Sequence, residues 1–220
     1  MTRKQKNILN FLSLFFLLIV LPVAALYFLE EGVDYRKELM AELKDLGETP
    51  QFEGLNYKGD TIDNSRLKHN LVVVNFMEPN QQGKNGEKGE ILKKLLTQFE
   101  DRQDVLLLNF IPQNENDSIQ HYGLTDYIQS FELSDVNRCF FVQEKEGELE
   151  KLASEGFHFP FEPGDNVREN NLVAFCDTAQ TIRRYYNILD EAESQLLVRH
   201  IIMFLPAGES RAGKYEIEKN

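Results

Sequence analysis

The chain is poor in cysteine, with two in 220 residues, and it has no tryptophan. Two cysteines exclude a disulfide-stapled scaffold and a cysteine-rich zinc domain. Basic residues are outnumbered, 24 against 36 acidic ones, for a formal net charge of −12. A phosphate backbone wants a basic face, so this balance argues against a nucleic-acid partner. No internal repeat and no collagen-like period is visible. Only one long hydrophobic run occurs, which excludes a polytopic membrane protein. What is present is ordinary for a globular domain: 42% hydrophobic and 27% charged residues. The length suits one domain with appendages.

The single apolar run lies at the start. Arg3, Lys4 and Lys6 form a basic flank over residues 1–7, and Ile8 to Leu29 then contains no charge. A helix of that length spans roughly 33 Å, about one hydrocarbon core. Glu30, Glu31 and Asp34 follow it. The positive-inside rule leaves the N-terminus in the cytoplasm and exports the rest, to a periplasmic or other extracytoplasmic space. Val23-Ala24-Ala25 also resembles a signal-peptide cleavage site, but the apolar run continues past it, beyond a normal h-region. We read 8–29 as an uncleaved single-pass anchor in the cell membrane. Either reading exports the domain.

Residues 33–46 show apolar residues near helical spacing, so 30–49 reads as a helical linker with Gly47 as its stop. An extended segment opens at Pro50, with a turn at Lys58-Gly59-Asp60. LVVVNF (71–76) and VLLLNFI (105–111) are continuous apolar runs, the mark of strands buried on both faces. Between them, 78–89 reads as a polar glycine-rich loop and 90–100 as a helix. A helix from Asp117 to about Gln129, a strand at 138–142, a charged helical stretch at 144–154 and a loop at 156–170 follow. Asn171 to Cys176 and Thr181 to Asn187 form a hairpin, and a helix over 189–204 closes the domain. The tail 206–220 reads as flexible. The order predicts an α/β, thioredoxin-like sandwich over 50–205, a central mixed sheet flanked by helices, behind an N-terminal transmembrane helix.

Several segments, in this order, resemble the SCO/SenC family, the membrane-anchored thioredoxin-fold copper proteins of cytochrome oxidase assembly. LGETPQFEGLNYKGDTID is similar to the family's G-x-x-P-x-F entry and turn. NFIPQNENDS resembles a loosened D-P-x-x-D-T turn. LVAFCDTAQTIRRYYN resembles the closing D-x-x-G-x-I-R-x-x-Y hairpin. Asp177, Ile182, Arg183 and Tyr186 match there, and Gln180 stands where glycine is usual. The resemblance covers about 47–205. It implies copper bound by a C-x-x-x-C pair at a helix N-terminus and by a histidine. Helix N–H groups and the helix dipole favour a thiolate there, and sulfur suits Cu(I).

Those ligands do not carry over. The cysteine positions fall on Gln81 and Asn85, and no cysteine occurs in 77–90. The histidine position falls near Glu169 or Asn170. Met77, His158 and Glu169, with Glu78 beside them, are the residues that would rebuild a weaker copper site. The competing reading packs Met77 at the core edge and leaves His158 as loop filling. His69, His121 and His200 are scattered and read as structural or solvated. Cys139 and Cys176 fall on strands three steps apart with 138–142 at the sheet edge, roughly 14 Å, beyond disulfide reach. They read as small buried hydrophobes.

The loop NQQGKNGEKG lacks phosphate-loop spacing. Asn116-Asp117-Ser118 formally matches a glycosylation sequon. No nucleophile, base and orienting group come together, so no enzyme is expected. With those ligands missing, the chain reads as a redox-inert, metal-free binding module anchored in the membrane; the resemblance implies its partner, a respiratory, cytochrome c oxidase-type complex or its assembly factors. The alternative is a copper metallochaperone with non-cysteine ligands. A weaker third is a thiol-disulfide oxidoreductase using Cys139 or Cys176.

Overall fold

The computed structural model describes residues 3–56, 59–80, 82–113, 117–135, 137–145, 147–162 and 165–205. The chain forms two compact units, Met1–Leu43 and Lys44–Asn220.

The first unit is helical: α1 (Arg3–Phe15), a π-helical turn (Phe16–Val20) and α2 (Leu21–Ala41). Leu21 donates its N–H to the carbonyl of Phe16, five residues back, just ahead of Pro22. Proline has no N–H to give to the regular ladder, and a π-turn is one way a helix absorbs that. Over Asn10–Ala41 the helix is long and apolar enough to cross a membrane. That is compatible with an anchor or a signal sequence. The helix runs on past the expected boundary at Leu29 and stops at Ala41, short of Leu46. Residues 44–47 instead bond to a strand edge, with Lys44 N–H on the carbonyl of Arg183 and Leu46 N–H on that of Ile182.

The second unit holds one seven-stranded sheet in the order β2-β1-β5-β4-β3-β6-β7. The strands are β1 (Glu53–Asn56), β2 (Thr61–Asp63), β3 (Leu71–Phe76), β4 (Val105–Gln113), β5 (Cys139–Lys145), β6 (Leu172–Cys176) and β7 (Ile182–Asn187). β3, β4 and β5 are parallel, and the other pairings are antiparallel. Every residue of β3 is buried, as its unbroken apolar run requires. The expectation that 138–142 lies at the sheet edge is corrected. β1 pairs with β5 and carries β2 beyond it. Both added strands are too short and polar to stand out as strands in sequence.

Alternating residues face two layers. Val72, Val74, Phe76, Leu108, Phe110 and Cys176 join one core cluster, closed by α3 (Asn64–Leu67), α6 (Glu148–Lys151) and the π-helical turn Leu152–Gly156. Phe76 stacks on Phe110 at 5.1 Å, and Phe157 and Phe159 meet Phe76 edge-on. Edge-on contact suits the ring quadrupole. The other face meets α4 (Gly83–Gln98), α5 (Asp117–Ser130) and α7 (Glu191–Phe204). The charged stretch at 144–154 forms less regular helix than expected, four residues and then a π-helical turn.

Candidate functional site

β3 runs out of apolar residues at Phe76, and the chain must leave the sheet. Met77 donates its N–H to the carbonyl of Phe110 at 3.0 Å, the last ladder bond. Gln82 donates its N–H to the Asn80 side chain at 3.2 Å, and α4 begins at Gly83 with φ +57°. Glycine takes that left-handed angle without strain. The expectation of a loop through Gly89 is therefore corrected, since the helix begins seven residues earlier than expected. Glycine is a poor helix former, so the sequence reads as loop. Here it serves packing: a Cβ on Gly89 would lie 2.4 Å from the Phe131 ring. The buried side of the first two turns is Asn85, Gly86, Lys88 and Gly89.

This strand-to-helix turn opens beyond the carboxyl ends of parallel strands, the usual place for a site in an α/β sheet. A cleft of about 890 Å³ lies there, with Pro79, Asn80, Lys84, Asn85, Asp126 and Glu169 among its walls. Asn85 is 3% exposed and its Oδ1 has no hydrogen-bond partner. Its backbone carbonyl accepts the Tyr127 hydroxyl at 2.8 Å. Burial pushes the Tyr127 phenol well above its ordinary range, so it stays a donor.

Lys88 is fully buried three residues on. Its Nζ donates to the carbonyls of Phe76 at 3.1 Å and Asn170 at 2.9 Å. Burial, with Lys84 close by, pushes its pKa down to about 7. A neutral amine has two N–H donors and two carbonyls wait for them, so the geometry suits either protonation state. Sequence reasoning missed Lys88, because a lysine among glycines and glutamates reads as solvated.

The candidate metal ligands do not meet. Met77 is fully buried. His158 is exposed, has φ +52°, and lies against Gly47. Glu169 alone shares the cleft with Asn85. Gln81 and Asn116 lie outside the described residues, as does the tail 206–220. Among the described residues no three of His, Cys, Asp and Glu gather into a metal-holding group. The cleft's named donors are amide and carboxylate oxygens, which do not fit soft Cu(I). His200 is structural: it is buried, and its Nδ1 lies 2.7 Å from the Tyr186 hydroxyl.

Both cysteines are free and buried. Cys139 on β5 faces Asn109, whose Nδ2 lies 3.6 Å from its Sγ. Cys176 on β6 belongs to the core cluster of the opposite face. β4 and β3 lie between their strands. Burial pushes both thiols well above their ordinary range.

No family model and no curated protein matches the chain. Solved structures do. A SCO1/SenC family lipoprotein from Bacillus anthracis is 17% identical, with a TM-score of 0.59 over 71% of this chain and 94% of that one. The fold is that of the SCO/SenC proteins. ScoI of Bradyrhizobium japonicum, solved with copper bound, is 13% identical, with a TM-score of 0.53 over 72% of this chain and 100% of that one. The thioredoxin-like frame extends further. A putative protein disulfide isomerase from Bacteroides thetaiotaomicron, 13% identical, has a TM-score of 0.56 over 74% of this chain and 91% of that one. At these identities the likeness is one of fold, and chemistry rests on the residues of this chain. In this thioredoxin-like domain the hairpin residues Asp177 and Arg183 form a structural clamp. The Asp177 carboxylate accepts the N–H groups of Ala179 and Thr181 and the Arg183 guanidinium.

Proposed function

We propose that this is a membrane-anchored, exported SCO-type protein that binds a protein partner during assembly of a respiratory, cytochrome c oxidase-type complex. It does so without redox or metal chemistry of its own and is not an enzyme. One observation carries the second half: the helix-start position that the resemblance gives to a thiolate holds Asn85, with the Lys88 amine buried one turn on. The two thiols that could supply sulfur are sealed in opposite faces of the sheet. The partner class rests on the likeness to SCO proteins.

The test uses the full chain, tagged and recovered from membranes in mild detergent. Respiratory subunits or their assembly factors are expected in equal yield with and without chelator and reductant. Recovery of no respiratory component would overturn the partner assignment. Loss of the partner on chelation, together with stoichiometric copper binding weakened by Glu169→Gln, Met77→Ala or His158→Ala, would replace this reading with copper delivery through non-cysteine ligands.

A further inference from the structure

The cleft at the head of α4 has an unmet need. Asn85 is part of its wall, and the Oδ1 of that side chain is withdrawn from solvent and without a donor. A buried acceptor left unpaired is costly, and native structures seldom keep one without a reason. Its surroundings say what kind of donor would suit. Asp126 on α5 and Glu169 ahead of β6 bring two exposed carboxylates to the same cleft from separate elements. Lys84 brings one positive charge, also exposed, on a long side chain that can turn to solvent. The whole chain carries −12. An anion is therefore poorly served here, although a helix N-terminus alone would attract one. The fit is to a group that donates N–H bonds and carries positive charge.

We propose that this cleft seats a basic side chain, an arginine guanidinium or a lysine ammonium, presented by the protein partner. Its N–H donates to Asn85 Oδ1, and its charge lies between Asp126 and Glu169. The inference rests on the reading of the domain as a partner-binding module and names the chemistry by which that partner is recognised. The site is preorganised from behind. Tyr127 holds the Asn85 backbone at 2.8 Å, and Lys88 ties the same helix face to Phe76 and Asn170. The backbone of the seat therefore needs little ordering when the partner arrives, and the Asn85 amide turns to meet it. The long-range acidic field of the domain would speed the approach of a basic patch and make it salt-dependent.

The test is a titration of the full chain in detergent with Ac-Gly-Arg-Gly-NH2 and Ac-Gly-Lys-Gly-NH2, read by calorimetry. The citrulline peptide Ac-Gly-Cit-Gly-NH2 and the acidic peptide Ac-Gly-Glu-Gly-NH2 are controls. One side chain should bind with Kd of about a millimolar, and the citrulline and acidic peptides should bind at least about tenfold more weakly. Asp126→Asn with Glu169→Gln should weaken the basic peptide about fivefold or more, and neither exposed carboxylate is needed for folding. Asn85→Asp keeps the shape and adds charge to the acceptor, so it should tighten binding. No binding of either basic peptide at 10 mM (roughly ten times the expected Kd), equal binding of citrulline, or indifference to the carboxylate variants would overturn the proposal. The two readings fail separately. Partner recovery that ignores the carboxylate variants leaves the binding module standing and removes this seat. Peptide binding with no respiratory component recovered does the reverse.

Discussion

The Lys88 ammonium lies 2.9 Å from the carbonyl oxygen of Asn170, tying the second turn of α4 to the chain that enters β6. The two residues are 82 positions apart. The bond holds a charge-capable group, fully buried, one turn of the helix beyond Asn85. It also makes the domain's stability a matter of pH.

The sign follows from the depressed pKa. Folded Lys88 titrates at about 7 and an unfolded lysine near 10.5. Between those values the unfolded chain binds the extra proton, so stability rises as pH increases from 7 and is lower below it. From pH 7 to 9 the gain is on the order of 2 kcal/mol. The buried thiols reverse the trend above about pH 9, because their folded pKa values are raised. Urea midpoints at pH 6, 7, 8 and 9 should climb for the parent protein. They should lie nearly flat for Lys88→Met. An equal slope in both would show that Lys88 is not the titrating group.

Gly89→Ala offers a second check, because two effects oppose each other. An alanine in a helix interior is ordinarily better than glycine by about 1 kcal/mol. Here its Cβ would meet Phe131 at 2.4 Å, in a ring already packed at 4.7 Å from Tyr127. Overpacking should win and destabilise the domain by about 1–3 kcal/mol. Adding Phe131→Leu should recover part of the loss in chemical denaturation.

Gln180 occupies the hairpin position where the resemblance leads one to expect glycine, and its φ is +65°. It offsets that strain with bonds glycine lacks: Nε2 donates to the Leu67 carbonyl at 2.8 Å, and Oε1 accepts from the Thr49 hydroxyl at 3.3 Å. Gln180→Ala keeps the strain and drops both bonds, for an expected loss of about 1–2 kcal/mol. Gln180→Gly should be more stable than the alanine variant by about 1 kcal/mol. The reverse order in thermal melts would mean the backbone is unstrained there.

The cysteines should be silent in the folded protein. Cys139 and Cys176 are each about 1% exposed or less, with raised thiol pKa values. Iodoacetamide at pH 8 should modify neither in native protein and both in urea. Modification of the native protein, counted by intact mass, would reopen the thiol-exchange reading.

The parts of the fold that were legible in sequence are those written in short-range pattern. LVVVNF and VLLLNFI read as buried strands because no polar residue interrupts their faces until Asn75 and Asn109. Those two asparagines pair with each other inside the sheet, Nδ2 of Asn75 on Oδ1 of Asn109 at 3.1 Å. The hairpin from Leu172 to Asn187 was legible for a similar reason, with a polar turn between the apolar run LVAFC and the half-buried strand IRRYYN. The candidate site was less so. Asn85 was reached only by counting along a resemblance, and nothing local marks Asp126 as its neighbour.

By itself, then, the amino-acid sequence determined the apolar N-terminal span, the parallel core strands, the closing hairpin and the lack of a thiolate near Asn85. Each depends on residue type or on spacing within one element, and the hydrophobic effect enforces it wherever the element packs. Tertiary structure decided the rest. It placed β1 and β2 beyond β5, began α4 inside a glycine-rich stretch, buried Lys88 and kept Met77 and His158 out of the Glu169 cleft. Those outcomes depend on partners far along the chain, such as Phe131 against Gly89 and Asn170 against Lys88. A local pattern carries no information about which distant surface will come close enough to accept a glycine or to satisfy a buried amine.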